Sequence, residues 1–161
     1  MKNIFICGCA RSGTSITTEL LRRHPKIGIG RERYNSVFKQ AKESFNEELF
    51  KKERFCKELL AGDTHHNALD TYYENLYMRW DECIYHGDKI PSLFKDYDYL
   101  MNTFRAPQIS FLLRNIIDVS QSWEMRRIRS IENNGPWPHD RGCKEAIKEW
   151  NQSLRNTLSA I

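Results

Sequence analysis

Residues 4–15 read Ile-Phe-Ile-Cys-Gly-Cys-Ala-Arg-Ser-Gly-Thr-Ser. An apolar run, a glycine-bounded loop and a polar helix start follow one another without a gap. This order constrains the chain more than any other feature. A short apolar run ended by a turn signal predicts a buried strand over Asn3–Cys9. Gly8 to Gly13 is the turn, and Thr14 to Arg23 predicts a helix with Ile16, Leu20 and Leu21 on one face. His24-Pro25 ends that helix, because the residue before a proline is pushed out of the helical region. A loop of this kind presents backbone N–H groups at a helix N-terminus, and those groups attract an anion. Gly8 and Gly13 allow close backbone approach. Thr14 and Ser15 add hydroxyls, and Arg11 adds a planar cationic fork.

The rest of the chain is read for what surrounds this loop. Residues 26–33 read as a loop containing Gly28 and Gly30, and residues 34–60 as helical, through Val37, Ala41, Phe45, Leu49, Phe55 and Leu59. Residues 67–84 predict another helix, with Tyr73 and Tyr77 as core or pocket residues. Gly87-Asp88 marks a turn, and Leu93, Tyr97, Leu100 and Phe104 predict a further helix. Ile109–Leu113 is a second apolar strand, followed by a helix over Asp118–Ile131, a loop through Asn133–Pro138 and a helix over residues 143–158. Strands that each lead into a helix imply an α/β fold. The expectation is one domain over residues 1–161, a parallel sheet of the P-loop type flanked by many helices.

Charge is unevenly spread along the 161 residues. Residues 1–40 carry eight basic and two acidic side chains, although the whole chain is only +4. A basic excess around the loop suits an anionic ligand there. A hydrophobic fraction of 40% excludes a disordered tail. No apolar run approaches the ~20 residues of a membrane helix, and the N-terminus lacks a signal peptide's apolar region and cleavage site. The cysteines are Cys7, Cys9, Cys56, Cys83 and Cys143. Cys7 and Cys9, two apart on the expected strand, should face one side. An odd count without zinc-finger spacing suggests reduced thiols and a cytoplasmic protein.

The loop spaces its glycines like a Walker A motif, but Thr14 stands where that motif has lysine, which argues against an ordinary ATPase or GTPase. Cys9-Ala10-Arg11-Ser12-Gly13-Thr14-Ser15, with Leu20-Leu21 and His24-Pro25, resembles the opening of the sulfotransferases that use 3′-phosphoadenosine 5′-phosphosulfate (PAPS). The motif style is similar to bacterial and tyrosylprotein-type members. The resemblance implies that Arg11, Ser12, Gly13, Thr14 and Ser15 hold the 5′-phosphosulfate. Ile109 to Ser122 resembles the family's second signature, a strand ending in Arg114 with a Ser eight residues later. It implies that Arg114 and Ser122 grip the 3′-phosphate of PAPS and of the product PAP. Ile116 replaces the family's common proline, and Ser120 is the fallback hydroxyl. An Arg at a strand's C-terminal end also points into the crevice where parallel sheets bind ligands.

Sulfuryl transfer needs a base for the acceptor's proton and cations for the charge on the transferring group. Lysine and arginine can supply that charge, so no metal is expected. Glu32, in Gly30-Arg31-Glu32-Arg33, is the expected base, at the spacing from Arg11 found in tyrosylprotein sulfotransferases. Lys89, in Gly87-Asp88-Lys89-Ile90-Pro91, matches the family's lysine that reaches the sulfuryl group, with Asp88 expected to orient it. His86 is the alternative base. His24 reads as structural, and His65-His66 as a loop near a helix cap. The resemblance also implies a later strand with a Tyr-Glu signature and a basic cofactor-covering loop, which this chain, ending at Ile161, is expected to lack.

The reaction implied is transfer of a sulfuryl group from PAPS to a hydroxyl, or less favourably an amine. Three other readings stay open. A non-catalytic PAP or PAPS binder would bind without turnover. A nucleotide phosphotransferase would turn over ATP with magnesium. A nucleic-acid binder would show a steep salt dependence and ignore PAP. A homo-oligomer could supply missing cofactor-covering elements.

Overall fold

The computed structural model describes residues 2–63 and 71–161. Four strands form one sheet: β1 (Lys2–Cys7), β2 (Ile27–Arg31), β3 (Tyr85–Lys89) and β4 (Gln108–Phe111). The order is β2-β3-β1-β4, and every pairing is parallel. The helices are α1 (Thr14–Arg22), α2 (Asn35–Gln40), α3 (Lys52–Cys56), α4 (Thr71–Met78), α5 (Tyr97–Thr103), α6 (Ile116–Glu132) and α7 (Cys143–Ser159). The α/β class and the parallel sheet with flanking helices are as the sequence implies.

Two of the four strands were not expected. Residues 26–33 are not all loop, because β2 occupies Ile27–Arg31, and β3 replaces the expected turn at Gly87-Asp88. Neither has a strand's usual composition. In β2 the glycines make room for neighbours: a Cβ on Gly28 would meet Leu76 Cδ1 at 2.9 Å, and one on Gly30 would meet Asp88 Oδ1 at 2.7 Å. In β3, Tyr-His-Gly-Asp-Lys buries His86, Asp88 and Lys89, polar groups that no hydrophobic pattern reveals.

Other boundaries also shift. The expected helix over 34–60 breaks into α2, two 3-10 turns (Lys42–Ser44 and Glu47–Phe50) and α3. The Asn46 side chain accepts the Glu48 N–H at 3.0 Å and starts the second turn. Phe45, Leu49 and Phe55 are buried as expected, whereas Leu59 is exposed. The buried Arg33 guanidinium donates to the Phe55 carbonyl at 3.1 Å and lies 3.5 Å from the buried Asp63 carboxylate, which tethers this irregular segment to the sheet. Of the expected 67–84 helix, α4 remains, followed by a 3-10 turn at Trp80–Glu82 and then β3, while residues 67–70 and the doublet His65-His66 lie outside the described residues. The segment from Leu93 to Phe104 divides into a 3-10 turn at Pro91–Lys95 and α5.

The face of α1 is also corrected. Ile16 and Leu20 are 68% and 63% exposed, and the buried residues are Thr14 and Thr18. Small residues allow α1 to lie close to the glycine-containing β2, and Thr18 Oγ1 donates to the Thr14 carbonyl at 2.7 Å, so its burial leaves no hydroxyl unpaired.

The main core is aromatic. The Phe5 ring on β1 lies 4.8 Å from Phe104, 5.7 Å from Phe50 and 5.8 Å from Phe45, centroid to centroid. A second core joins Cys9, Val119, Trp123 and Ala146, where α6 and α7 pack below the loop after β1. Cys7 belongs to the first core and Cys9 to the second, so the two do not share a side. The strand ends at Cys7, and the turn at Gly8 rotates Cys9 away. All five cysteines are free thiols, and burial pushes Cys7 up to about 11 and Cys9 to about 12.

Gly87 pairs with Ile4 in the register between β1 and β3, and a Cβ there would fall on the Ile4 carbonyl. Gly87→Ala should therefore cost more than about 3 kcal/mol or abolish folding. Gly62→Ala, with φ +96° and nothing among the described residues within 4 Å of the added Cβ, should cost only the left-handed backbone strain of about 1–2 kcal/mol. Thermal melts followed by circular dichroism compare the two.

Candidate active site

The loop from Gly8 to Gly13 leaves the C-terminal end of β1 at the centre of the sheet. Chain connections run to opposite sides of β1 here, and open α/β sheets bind ligands at such a point. Gly8 has φ +146°, and a Cβ there would meet the Leu112 carbonyl at 2.5 Å. Arg11 adopts φ 74° and Gly13 φ 94°. Gly13 is the N-cap of α1, and no side chain caps that helix. Its first-turn amides at Thr14, Ser15 and Ile16 therefore lack intrahelical acceptors. Ser12 is buried, and its Oγ has no hydrogen-bond partner among the described residues. A buried hydroxyl without a partner is costly, so this one suits a polar ligand.

Two tryptophans fix the loop ends. Trp123 Nε1 donates to the Ala10 carbonyl at 2.8 Å, and Trp150 Nε1 donates to the Arg114 carbonyl at 2.8 Å. These contacts bring Arg11, Arg114 and Ser122 together. Arg11 Nε donates to Ser122 Oγ at 3.0 Å, and Arg114 Nη1 donates to the Arg11 carbonyl at 3.4 Å. The Arg114 side chain also lies 3.4 Å from Asp118. Burial lowers the Arg11 pKa, and repulsion from Arg126 and Arg114 lowers it further. An anion bound among these three guanidiniums would relieve that repulsion. Ser120 is buried and donates to the Ile117 carbonyl at 2.9 Å, so it is not the hydroxyl facing Arg11.

Lys89 ends β3 with no solvent exposure. Its ammonium forms an ion pair with Glu32 and donates to Ser15 Oγ at 3.3 Å. Glu32 stands one residue beyond β2 with φ 59°, and its N–H donates to the Lys89 carbonyl at 2.8 Å. The structure thus brings together Glu32, Lys89 and Ser15, from three different segments. Thr14 is buried, and Thr14, Ser15, Arg11 and Glu32 line a cleft of about 610 Å³. A second cleft of about 450 Å³, lined by Arg11, Ser122, Arg126 and Arg129, adjoins it at Arg11.

Sequence reasoning missed two features of this site. Asp88 does not orient Lys89, because neighbouring strand residues face opposite ways. Its carboxylate instead accepts the Tyr34 N–H at 2.8 Å and the Arg33 N–H at 3.2 Å, which fixes the turn that carries Glu32. Arg126 reaches both clefts from α6, and its place one helical turn after Ser122, on the same face, is the signal that could have found it. His86 is buried against Trp80, with ring centroids 3.9 Å apart, and lines neither cleft. Burial pushes its imidazole down to about 4, so His86 is not placed to act as the base. Tyr73 is a core residue, and neither it nor Tyr77 lines a cleft.

Burial raises the Asp88 carboxyl to about 7, opposed by the Tyr34 and Arg33 amides. Its unfolded pKa is near ~3.9. The folded chain therefore holds this proton more tightly, and stability from this group falls as pH rises from about 4 to about 7. Asp88→Asn should remove that slope. It should also cost about 1–3 kcal/mol, because one of two buried amides loses its acceptor. Urea unfolding at pH 5 and pH 8 measures both effects.

Among the described residues no helix is long and apolar enough to cross a membrane. No curated protein matches the chain. The Sulfotransferase family model matches residues 3–160, nearly the whole chain. The chain therefore belongs to the sulfotransferase family.

Proposed function

We propose that this protein transfers a sulfuryl group from PAPS to a hydroxyl acceptor, without a metal. The observation that carries the reading is the Glu32–Lys89 ion pair beside Ser15, at the mouth of an anion-suited loop, in a sulfotransferase-family chain. The residues fit such a donor. Ser12 Oγ has no partner among the described residues, no side chain caps the N-terminus of α1, and Arg114 and Arg126 repel the Arg11 guanidinium. In this reading the backbone from Arg11 to Ser15 holds the phosphosulfate, and Arg114 with Ser122 holds the 3′-phosphate.

Bound PAPS supplies an activated sulfuryl group, whose sulfur–oxygen bond to phosphate breaks as the acceptor oxygen bonds to sulfur. Glu32 takes the proton that the acceptor hydroxyl loses. It is half-buried at the cleft wall, with its carboxylate open to a ligand on one side and held by Lys89 on the other. Lys89 and Arg11 oppose the negative charge that gathers on the transferring group and the departing phosphate, as fixed cations in a partly desolvated site do. Ser15 Oγ accepts from Lys89 and keeps the ammonium aimed at the loop.

The reading predicts micromolar PAP binding by calorimetry, with ADP and ATP bound more weakly. Arg11→Ala and Arg114→Ala should each weaken PAP by about 10–100-fold, the loss of one charge-assisted contact. In a PAPS turnover assay unaffected by EDTA, Glu32→Gln should lower kcat by about 10²–10⁴ with PAP binding retained. Unchanged turnover in Glu32→Gln would remove Glu32 as the base. PAP binding without turnover for any hydroxyl acceptor would mark a binding module instead.

A further inference from the structure

Six arginines and lysines but only two glutamates line the main cleft. Most of these cations have local partners. Arg31 pairs with Glu19 at 3.1 Å, Arg141 pairs with Glu149 at 2.7 Å, and Arg126 lies over the Trp137 ring beside Arg11. Lys39 and Lys95 are different. Both are exposed, both line this cleft, and neither has an ion pair, ring or side-chain hydrogen bond among the described residues. Elsewhere on the surface Lys42, Lys52, Lys57 and Lys148 each sit on a carboxylate.

The two lysines line the same cleft as Glu32 and come to it from different segments. Lys39 lies one helical turn after Asn35 on α2, which follows Glu32, so both project from one face. Lys95 ends the 3-10 turn that follows Lys89. On that same turn Ser92 Oγ is buried without a hydrogen-bond partner among the described residues, and Ser92 lines the cleft. None of Lys39, Lys95, Asn35 and Ser92 lines the second cleft, where Arg11, Ser122 and Arg126 meet. The guanidiniums at the loop can serve the donor's phosphates, which leaves the lysine wall beside the base without an assigned charge to meet.

We propose that the acceptor is itself an anion: a small hydroxyl compound carrying a carboxylate or sulfate, which Lys39 and Lys95 engage while its hydroxyl faces Glu32. The proposal rests on the sulfuryl-transfer reading for the identity of the donor. The two lysines set specificity here. An exposed charge pair contributes roughly threefold to fivefold in affinity, so two together give about tenfold. Screening shortens their reach from about 10 Å at 0.1 M salt to about 3 Å at 1 M, and the preference should fall accordingly.

The test uses matched probes on the PAP-loaded chain, read by calorimetry or ligand-observed NMR. One pair is 4-nitrophenyl β-D-glucuronide against the corresponding glucoside. The other is 4-hydroxyphenylacetate against its amide. The carboxylate member of at least one pair should bind about tenfold tighter, and the responding pair distinguishes a carbohydrate from a phenolic acceptor. In Lys39→Gln/Lys95→Gln the preference should fall below about threefold, with PAP affinity unchanged within twofold. Equal binding of both members of each pair, or no binding of any probe, by a chain that binds PAP would overturn the proposal. A drop in PAP affinity in the double variant would also overturn it, by assigning the lysines to the donor. A preference that persists in a chain unable to bind PAP would support the anionic wall and remove the donor reading alone.

Discussion

Lys89 sits at the end of β3 with its ammonium shut away from solvent, and the partner that compensates it, Glu32, stands just past β2. Desolvating a lysine costs several kcal/mol, and its attraction to one carboxylate roughly offsets that cost. An apolar pair would stabilise the sheet as well or better, so the charge here is better explained by use than by stability. The surrounding structure follows from holding this pair. Asp88 fixes the turn that carries Glu32, Gly87 lets β3 lie against β1, and Ser15 reaches across from α1.

The second arrangement is the pair of indole contacts that join the sheet to α6 and α7. Trp123 holds the Ala10 carbonyl and Trp150 holds the Arg114 carbonyl. Both contacts use a buried or partly buried aromatic body with one polar tip, which suits a boundary between a core and a polar cleft. They determine where Arg11 and Arg114 stand, and so where like charges accumulate. The left-handed backbone at Arg11 and Glu32, each costing of order 1–3 kcal/mol, places strain at the two positions that carry the proposed chemistry.

Where the residues are apolar, the sequence is a good guide to the fold. Ile4–Cys7 reads as a strand because burial on both faces leaves a continuous apolar run, whereas β4, at the sheet edge, alternates half-buried Ile109 and Phe111 with exposed Gln108 and Ser110. The strands β2 and β3 were hidden for the opposite reason. Their interior positions are glycines that admit a neighbour, or charged groups that serve the cleft, and hydrophobic periodicity is blind to both. The exposed Ile16 and Leu20 show the converse, an apolar stripe that marks no contact with the sheet. At the site, short motifs pointed to Arg11, Glu32 and Lys89, although Lys89 ends β3 and does not lie on a turn. The role of Asp88 was not legible, since it depends on packing against Arg33 and Tyr34, far away in sequence, while Arg126 was passed over although its spacing from Ser122 on one helix pointed to the same face.

On the proposed function, the loop after β1, Glu32 and Lys89 form one site for the sulfuryl donor. The decisive experiment is amide NMR of the labelled chain during titration with PAP. The expected result is saturable shifts at Arg11, Gly13, Thr14 and Ser15, with Glu32 and Lys89 moving at the same midpoint. Shifts confined to surfaces away from the loop, or saturating separately at the loop and at Glu32, would contradict it.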